Sequence, residues 1–425
     1  MAAMTRRAAA GLLAAATLLA AGCAPSPSGE GDKDDVTLTV WSWRTEDVAA
    51  YEKIFAEFTR THPGIKVQFK AHKNTEYNTI LQTGLTGDGG PDVAQLRAYG
   101  ALQGLVRSNA LVPLDGQVDV GGFDKTVLDA ARGKADGKLY GVPVALQAMY
   151  VYYNKQIFAE HGLRPPATWD ELLAAAGTLK AAGVVPFATT GKDSWMLPIV
   201  LDTFAATRYG GPQFEKAVLD GSKQFTAPEY VAAIDLVRQL SQFFPNDVAG
   251  VAYTDAQTLF ASGKAAMFPG GSFELGFFTK QNPQLQLGVF SVPPPPDAVT
   301  KEQLVPGWAD ASYGVSARSK HRDQAIELVK WMATKEFGQL FADEIKQISP
   351  VPGVNPKDPL LAEMVRGYQQ RPASYLLLVN FRYGEPDGTV LLGGGIQKML
   401  LGQRDPQGVA EDLQRGVSQW FKPGG

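Results

Sequence analysis

Cysteine is almost absent from this chain of 425 residues, where Cys23 is the sole example. A single thiol excludes disulfides within the chain, zinc ribbons and iron–sulfur cages. Histidine is scarce as well: His62, His72, His161 and His321 stand too far apart for a zinc-binding helix pair. No metal and no cofactor is therefore expected. Neither charge sign dominates, since the net charge is −3 with both signs interspersed, and this excludes the basic stripe of a nucleic-acid binder. No apolar run reaches the roughly 20 residues that a membrane-spanning helix needs. The 45% hydrophobic and 10% aromatic content is that of a globular protein, which excludes a disordered or collagen-like chain. The length suits two or three domains with a sizeable core.

Phosphate loops and catalytic signatures are missing too. The glycines at 87–90 and 393–395 lack the spacing and the Lys-Ser/Thr that cradle a phosphate, and Gly263-Lys264-Ala265 lacks the upstream glycine. Ser272 is followed two residues later by Glu274 rather than glycine, so it does not sit on a nucleophile elbow. No Ser/His/Asp set is visible.

The first segment is an address. Arg6 and Arg7 precede an apolar run over residues 8–21, followed by Gly22 and Cys23. A basic start, a short apolar stretch and small residues before a cleavage point read as a secretory signal over 1–22. Cys23 stands where a bacterial lipoprotein would carry its thioether-linked diacylglycerol, with Ala20 at the position where such signals commonly place leucine. The expected product is tethered to the outer face of the cell membrane rather than spanning it. Residues 23–35 (CAPSPSGEGDKDD) are a flexible tether too polar to bury a core. Without Arg6 and Arg7 the processed chain has 38 basic and 43 acidic side chains, a net charge of −5.

The remainder alternates strand and helix patterns. VTLTVWSW at 36–43 reads as a strand, and Val48, Tyr51, Phe55 and Phe58 recur at helical spacing. Ile65, Val67 and Phe69 alternate as a second strand; Tyr77, Ile80, Leu81 and Leu85 mark a second helix; Val93 and Leu96 lie in a third strand. This order implies right-handed crossovers and a parallel sheet covered on both faces. Thr168 and Glu171 form a capping box, and two later amphipathic helices carry Ala325, Leu328, Val329 and Met332, then Val409, Leu413, Val417 and Trp420.

Tryptophan placement separates packing from candidate chemistry. Trp41, Trp169, Trp331 and Trp420 lie within or beside apolar patterns, whereas Trp43, Trp195 and Trp308 stand at strand ends or in loops beside charged or hydroxyl neighbours. Ligands of open α/β sheets collect at the carboxyl ends of strands. An aromatic plane flanked by Asp, Glu or Arg suits a sugar, whose C–H face packs on the ring while its hydroxyls are hydrogen-bonded. A core or rim role for each ring remains the alternative.

With these pieces in order, the chain resembles the extracellular solute-binding proteins of ABC importers, in the sugar-binding family that includes the maltose-binding protein. The resemblance runs over residues 36–422. Its marks are VTLTVWSW, PGIKVQF at 63–69, GDGGPDVAQL at 87–96, DGKLYGVPVALQAMYVYYNKQIFAEHGL at 136–163, PATWDELLAAAGTLKAAGVVP at 166–186, FASGKAAMFPGGSFE at 260–274 and SYGVSARSKHRDQAIELVKWM at 312–332. It implies a two-lobe α/β fold of the periplasmic-binding-protein type with the ligand cleft between the lobes. The lobes would comprise 36–146 with 305–345 and 147–304 with 346–425, joined by crossings near 144–150, 296–307 and 345–352. It also implies a monomeric, non-enzymatic protein that delivers a sugar, an oligosaccharide in particular, to a permease. The family's ligand contacts fall here on Trp43, Arg44, Glu46, Arg97, Gln147, Trp195, Glu274, Trp308, Asp310 and Arg382. Other polar solutes stay open, such as a polyol, a phosphate ester or a polyamine. So does a secreted glycoside hydrolase with Glu274 and Asp310 as its acid and base.

Overall fold

The computed structural model describes residues 35–424, so the expected signal segment, Cys23 and nearly all of the tether lie outside the described residues. Among the described residues there are nine strands: β1 Val36–Ser42, β2 Ile65–Ala71, β3 Val93–Arg97, β4 Val142–Asn154, β5 Val185–Phe187, β6 Ala265–Gly271, β7 Leu287–Phe290, β8 Val305–Val315 and β9 Pro372–Ser374. They follow the order β2-β1-β3-β8-β4-β6-β5, with β7 on β4 and β9 on β8.

The expected strand–helix–strand–helix–strand start is present. Helices Val48–Thr61 and Tyr77–Thr86 connect β1, β2 and β3, which pair in parallel. Next to them the sheet turns mixed, because β3 pairs antiparallel with β8. A strand that returns from far along the chain has no crossover helix to fix its direction.

β4 and β8 are the two long strands, and they organise the molecule. β4 reads VPVALQAMYVYYN without polar alternation, as a strand covered on both faces does. Its first half, Val142 to Ala148, pairs with β8, and from Met149 onward it pairs with β6 and β7. One strand thus passes from the sheet of the first lobe into that of the second. The backbone comes close to itself again where Leu146 bridges Ile348.

Two hydrophobic clusters form the core, and the first also takes in Tyr152, Phe268 and Phe278 from beyond the crossing of β4. Leu38, Val40, Phe55, Phe58, Tyr77, Tyr313 and Trp331 belong to one cluster, and Leu172, Phe187, Phe204, Tyr230, Ile396 and Leu413 to the other. Local signals are met with small departures. Glu171 N–H donates to Thr168 Oγ1 (3.2 Å), while the Glu171 carboxylate accepts from Ala167 N–H (2.7 Å) rather than from Thr168. The last helix is Pro406–Val417, so Trp420 lies beyond it and donates from Nε1 to Pro386 O (3.0 Å). None of the helices described is long and apolar enough to cross a membrane.

Candidate ligand cleft

The loops after β1, β2 and β3 open toward one cavity of about 450 Å³ between the lobes. That volume lies within the range of small-molecule sites, about 300–1,000 Å³. Eight of the ten residues expected at the ligand line it: Trp43, Arg44, Glu46, Arg97, Trp195, Trp308, Asp310 and Arg382. Gln147 and Glu274 do not.

Gln147 is fully buried on β4 and acts as a brace. Its Nε2 donates to Asp310 Oδ2 (3.1 Å) and Gln347 Oε1 (2.8 Å), and its Oε1 accepts from Ser272 Oγ (2.7 Å). Trp308 Nε1–H donates to the other oxygen of Asp310 at 3.1 Å. Asp310 is thereby oriented by two neutral donors, and its remaining lone pairs stay available to the cavity.

Glu274 is also fully buried, because it opens the helix Glu274–Gln281 with its side chain turned inward. Tyr253 OH donates to Oε1 and Gln257 Nε2 to Oε2, each at 2.7 Å. Burial pushes its carboxyl up to about 7, against these two hydrogen bonds and the positive charge of Arg44. Glu274 therefore stands behind Tyr253, and it is Tyr253 that lines the cavity.

The three candidate tryptophans differ in exposure. Trp43 is 4% exposed and Trp308 5%. Arg97 covers one face of Trp43, its guanidinium carbon 4.4 Å from the ring centroid, and Tyr77 packs against the same indole at 5.5 Å. Trp308 is held edge-on by Tyr375 (5.2 Å) and Phe273 (6.3 Å). Trp195 is half-buried and meets Tyr253 edge-on at 4.9 Å, so it presents the most open of the three rings.

Each arginine is tied to an acceptor. Arg44 pairs with Asp47 (2.6 Å) and Glu46 (3.0 Å), and although burial acts against its charge these carboxylates raise its pKa. Arg382 pairs with Asp387 at 2.8 Å while also lining the cavity. Arg97 donates from Nε to Asn78 Oδ1 (2.8 Å), and one terminal nitrogen donates to Asn74. Among the described residues it has no bonded carboxylate, and burial lowers its pKa to about 10 with Asp310 opposing the fall. It is the cavity's least compensated donor.

Sequence reasoning missed Asn74, Thr75, Asn78, Tyr253, Phe273 and Tyr375 in the lining. The rule that singled out the loops after β1 and β3 reaches Asn74 and Thr75 as well, since they follow β2. Tyr253, beside Thr254 and Asp255, has the hydroxyl and charged neighbours that marked the tryptophans, but a criterion confined to indoles passes over it, whereas Tyr375 leads into the apolar run Leu376-Leu377-Leu378 and carries no such mark.

Residues 41–339 match the family model described as bacterial extracellular solute-binding protein. The multiple sugar-binding protein of Streptococcus mutans is 26% identical over 78% of this chain and 79% of its own. RafE of Streptococcus pneumoniae, solved with raffinose, superposes with a TM-score of 0.69 at 26% identity, covering 90% of this chain and 99% of that one. The GacH receptor of Streptomyces glaucescens gives a TM-score of 0.73 at 22% identity over 91% and 99%, a likeness of fold. With the two-lobe architecture, the interlobe cavity and this match in place, the chain belongs to the bacterial extracellular solute-binding protein family.

Proposed function

We propose that the protein captures a sugar, an oligosaccharide in particular, in the interlobe cavity outside the cell and passes it to an ABC permease by lobe closure. The composition of the cavity carries the reading. Aromatic rings (Trp195, Tyr253 and Trp308) alternate with Asp310, Glu46, Arg97 and amide groups, and the opposite charges offset one another. A neutral molecule with many hydroxyls uses both kinds of group. A phosphate ester would want uncompensated cations, and a polyamine a box of free carboxylates. The raffinose complex of RafE and the name of the streptococcal relative point the same way.

Closure follows from placement. Trp43, Arg44 and Arg97 belong to the segments proposed as one lobe, 36–146 with 305–345. Trp195, Tyr253 and Arg382 belong to the other, 147–304 with 346–425. A ligand that touches both sets stabilises the form in which both are reached. Hydrolysis is disfavoured because Glu274, one half of the acid–base pair considered from sequence, is kept from the cavity by Tyr253. The protein is further proposed to act as a monomer held to the cell membrane by lipid on Cys23.

The test is a thermal-shift screen over mono-, di- and trisaccharides, followed by calorimetry and by incubation with labelled oligosaccharides. A stabilising sugar recovered intact at one per chain supports the reading. Turnover, or no shift with any sugar, defeats it. Incorporation of a labelled fatty acid that disappears in Cys23→Ser tests the anchor.

A further inference from the structure

Tyr253 is fixed to the cavity wall at both ends. Its backbone N–H donates to Asp193 Oδ2 (2.7 Å), two residues before Trp195, and its hydroxyl donates to Glu274 Oε1 (2.7 Å). The ring between them is half-buried, lines the cavity and meets Trp195 edge-on. Its hydroxyl feels the charges of Arg44 and Glu46, which line the same cavity. A phenol has one proton to give. That proton is committed to the carboxylate behind the wall, so toward the cavity the hydroxyl oxygen can only accept.

Glu274 has no exposed surface, and the helix Tyr253–Ala261 supplies a donor to each of its oxygens, Tyr253 OH to Oε1 and Gln257 Nε2 to Oε2. From other elements it faces Arg44 and Glu46, of the loop after β1, and Tyr152 of β4. Lys280, further along its own helix, is turned to the backbone oxygen of Glu46 (3.0 Å). Arg44 keeps its charge through its pairs with Asp47 and Glu46. Burial holds Tyr152 and Tyr253 protonated well above the ordinary tyrosine range, whereas Glu274 titrates at about 7.

We propose that Glu274 is a positioning residue for ligand binding: by taking the Tyr253 proton it makes Tyr253 an acceptor for one hydroxyl of the bound sugar, in a chain that runs from sugar O–H through Tyr253 to the carboxylate. This inference rests on the sugar-capture reading and adds to it a group that acts on the ligand without touching it. A hydrogen-bond chain that ends on an ionised acceptor is stronger than its neutral counterpart. Protonation reverses the chain. Gln257 Nε2 occupies Oε2, which leaves Oε1 to receive the proton; Glu274 then donates to the Tyr253 oxygen, the phenol proton turns to the cavity, and the sugar meets a neutral donor. Sugar binding thus favours the ionised carboxyl. Affinity rises with pH through about 7, and in that window binding releases the Glu274 proton to solvent.

The experiment is calorimetry on the full chain with raffinose, maltose, xylobiose and galactose from pH 5.5 to 8, repeated in buffers of different ionisation enthalpy. A sugar that binds should do so about fourfold tighter at pH 8 than at pH 5.5 and should release roughly 0.4 proton near pH 6.7, the amounts that follow if binding lowers the carboxyl by about 0.7 from its free value. A residue that only packs would change affinity equally at every pH and would exchange no proton. Glu274→Gln and Tyr253→Phe should each remove the pH slope and the proton release and bind about fourfold more weakly at pH 8, and the double variant should be no weaker than either. Tyr253→Phe deletes only a hydroxyl, so it keeps the test standing if Glu274→Gln does not fold. Proton uptake or no exchange in the parent, release that persists in Tyr253→Phe, or additive losses in the double variant would overturn the inference while leaving sugar capture intact. Failure of all four sugars to bind would strike the sugar reading itself, and this inference with it.

Discussion

The guanidinium of Arg97 lies 4.4 Å over the indole of Trp43, so the ring that the sequence offers first as a sugar platform is already occupied by a cation. Trp43 holds Arg97 at the cavity wall, and its other contact is Tyr77 at 5.5 Å. The open ring is Trp195, on the opposite side of the cleft. The two tryptophans should therefore respond differently to removal. Trp195→Ala is expected to weaken sugar binding about tenfold, the loss of a good stacking contact, with little change in the thermal midpoint. Trp43→Ala empties a buried site and should cost about 3–5 kcal/mol of stability. Calorimetry and denaturant unfolding of both variants check this, and equal losses of affinity without a stability difference would refute the division of labour.

Much of the fold was legible because hydrophobic period and punctuation change together in the first part of the chain. Val48, Tyr51, Phe55 and Phe58 mark a helix, and the burial of Tyr51, Phe55 and Phe58 is what the spacing means. The antiparallel return of β8 was not legible, since its partners β3 and β4 lie far away in sequence and only tertiary packing selects them. The site divides the same way. Arg44, Glu46 and Arg97 sit at or just past strand ends where the topology points into the cleft, and they line it. Glu274 also follows a strand, but two donors from the helix Tyr253–Ala261 draw it inward. No pattern of spacing reveals a partner about twenty residues away on another helix.

Asp310 owes its orientation to Gln147, which suggests a residue that affects binding without touching ligand. Gln147→Leu would strip Asp310 Oδ2, Gln347 Oε1 and the Ser272 hydroxyl of a partner in a buried site. Each orphaned group costs about 1–3 kcal/mol. The variant should lose both stability and affinity, whereas Asp310→Asn, which keeps the Trp308 bond, should lose mainly affinity. A Gln147→Leu protein as stable as the parent would show that the network is dispensable.

Gly100 offers a test of closure. Any side chain there must push the Arg382 carbonyl away, because its Cβ would stand 1.7 Å from that oxygen. Gly100→Val should hold the Gly100 and Arg382 segments apart, leaving each lobe folded. The expected result is weaker binding of every sugar, together with a smaller decrease in radius of gyration on adding ligand, measured by small-angle scattering. Unchanged affinity in a protein shown to be folded would mean that this approach does not govern closure.

Three buried carboxyl groups, Glu274, Asp202 and Asp47, are raised by burial and set the pH dependence of stability. Burial raises Glu274 from 4.5 to about 7, and raises Asp202 from 3.8 to about 7 despite the hydrogen bond it accepts from Tyr209. Between the ordinary values and about 7 the folded state binds protons that the unfolded chain has released, so stability must fall as pH rises through that window. Below it the opposite groups act. Asp358, paired with Lys346, and Asp343, hydrogen-bonded to Lys357 N–H, have lowered pKa values, and the stability they supply is lost as pH drops below the ordinary aspartate value of 3.8. The protein should thus be most stable at about pH 4–5 rather than at neutrality, with a decline toward pH 7 on the order of 3–4 kcal/mol each from Glu274 and Asp202. Glu274→Gln keeps the shape and an acceptor for Tyr253 but cannot ionise, so it should remove one share of that decline and leave the shares of Asp202 and Asp47. Thermal midpoints followed by circular dichroism from pH 3 to 8 decide it. A parent protein whose midpoint climbs steadily to pH 7, or a Glu274→Gln profile parallel to the parent's, would show that Glu274 is not held protonated by its burial.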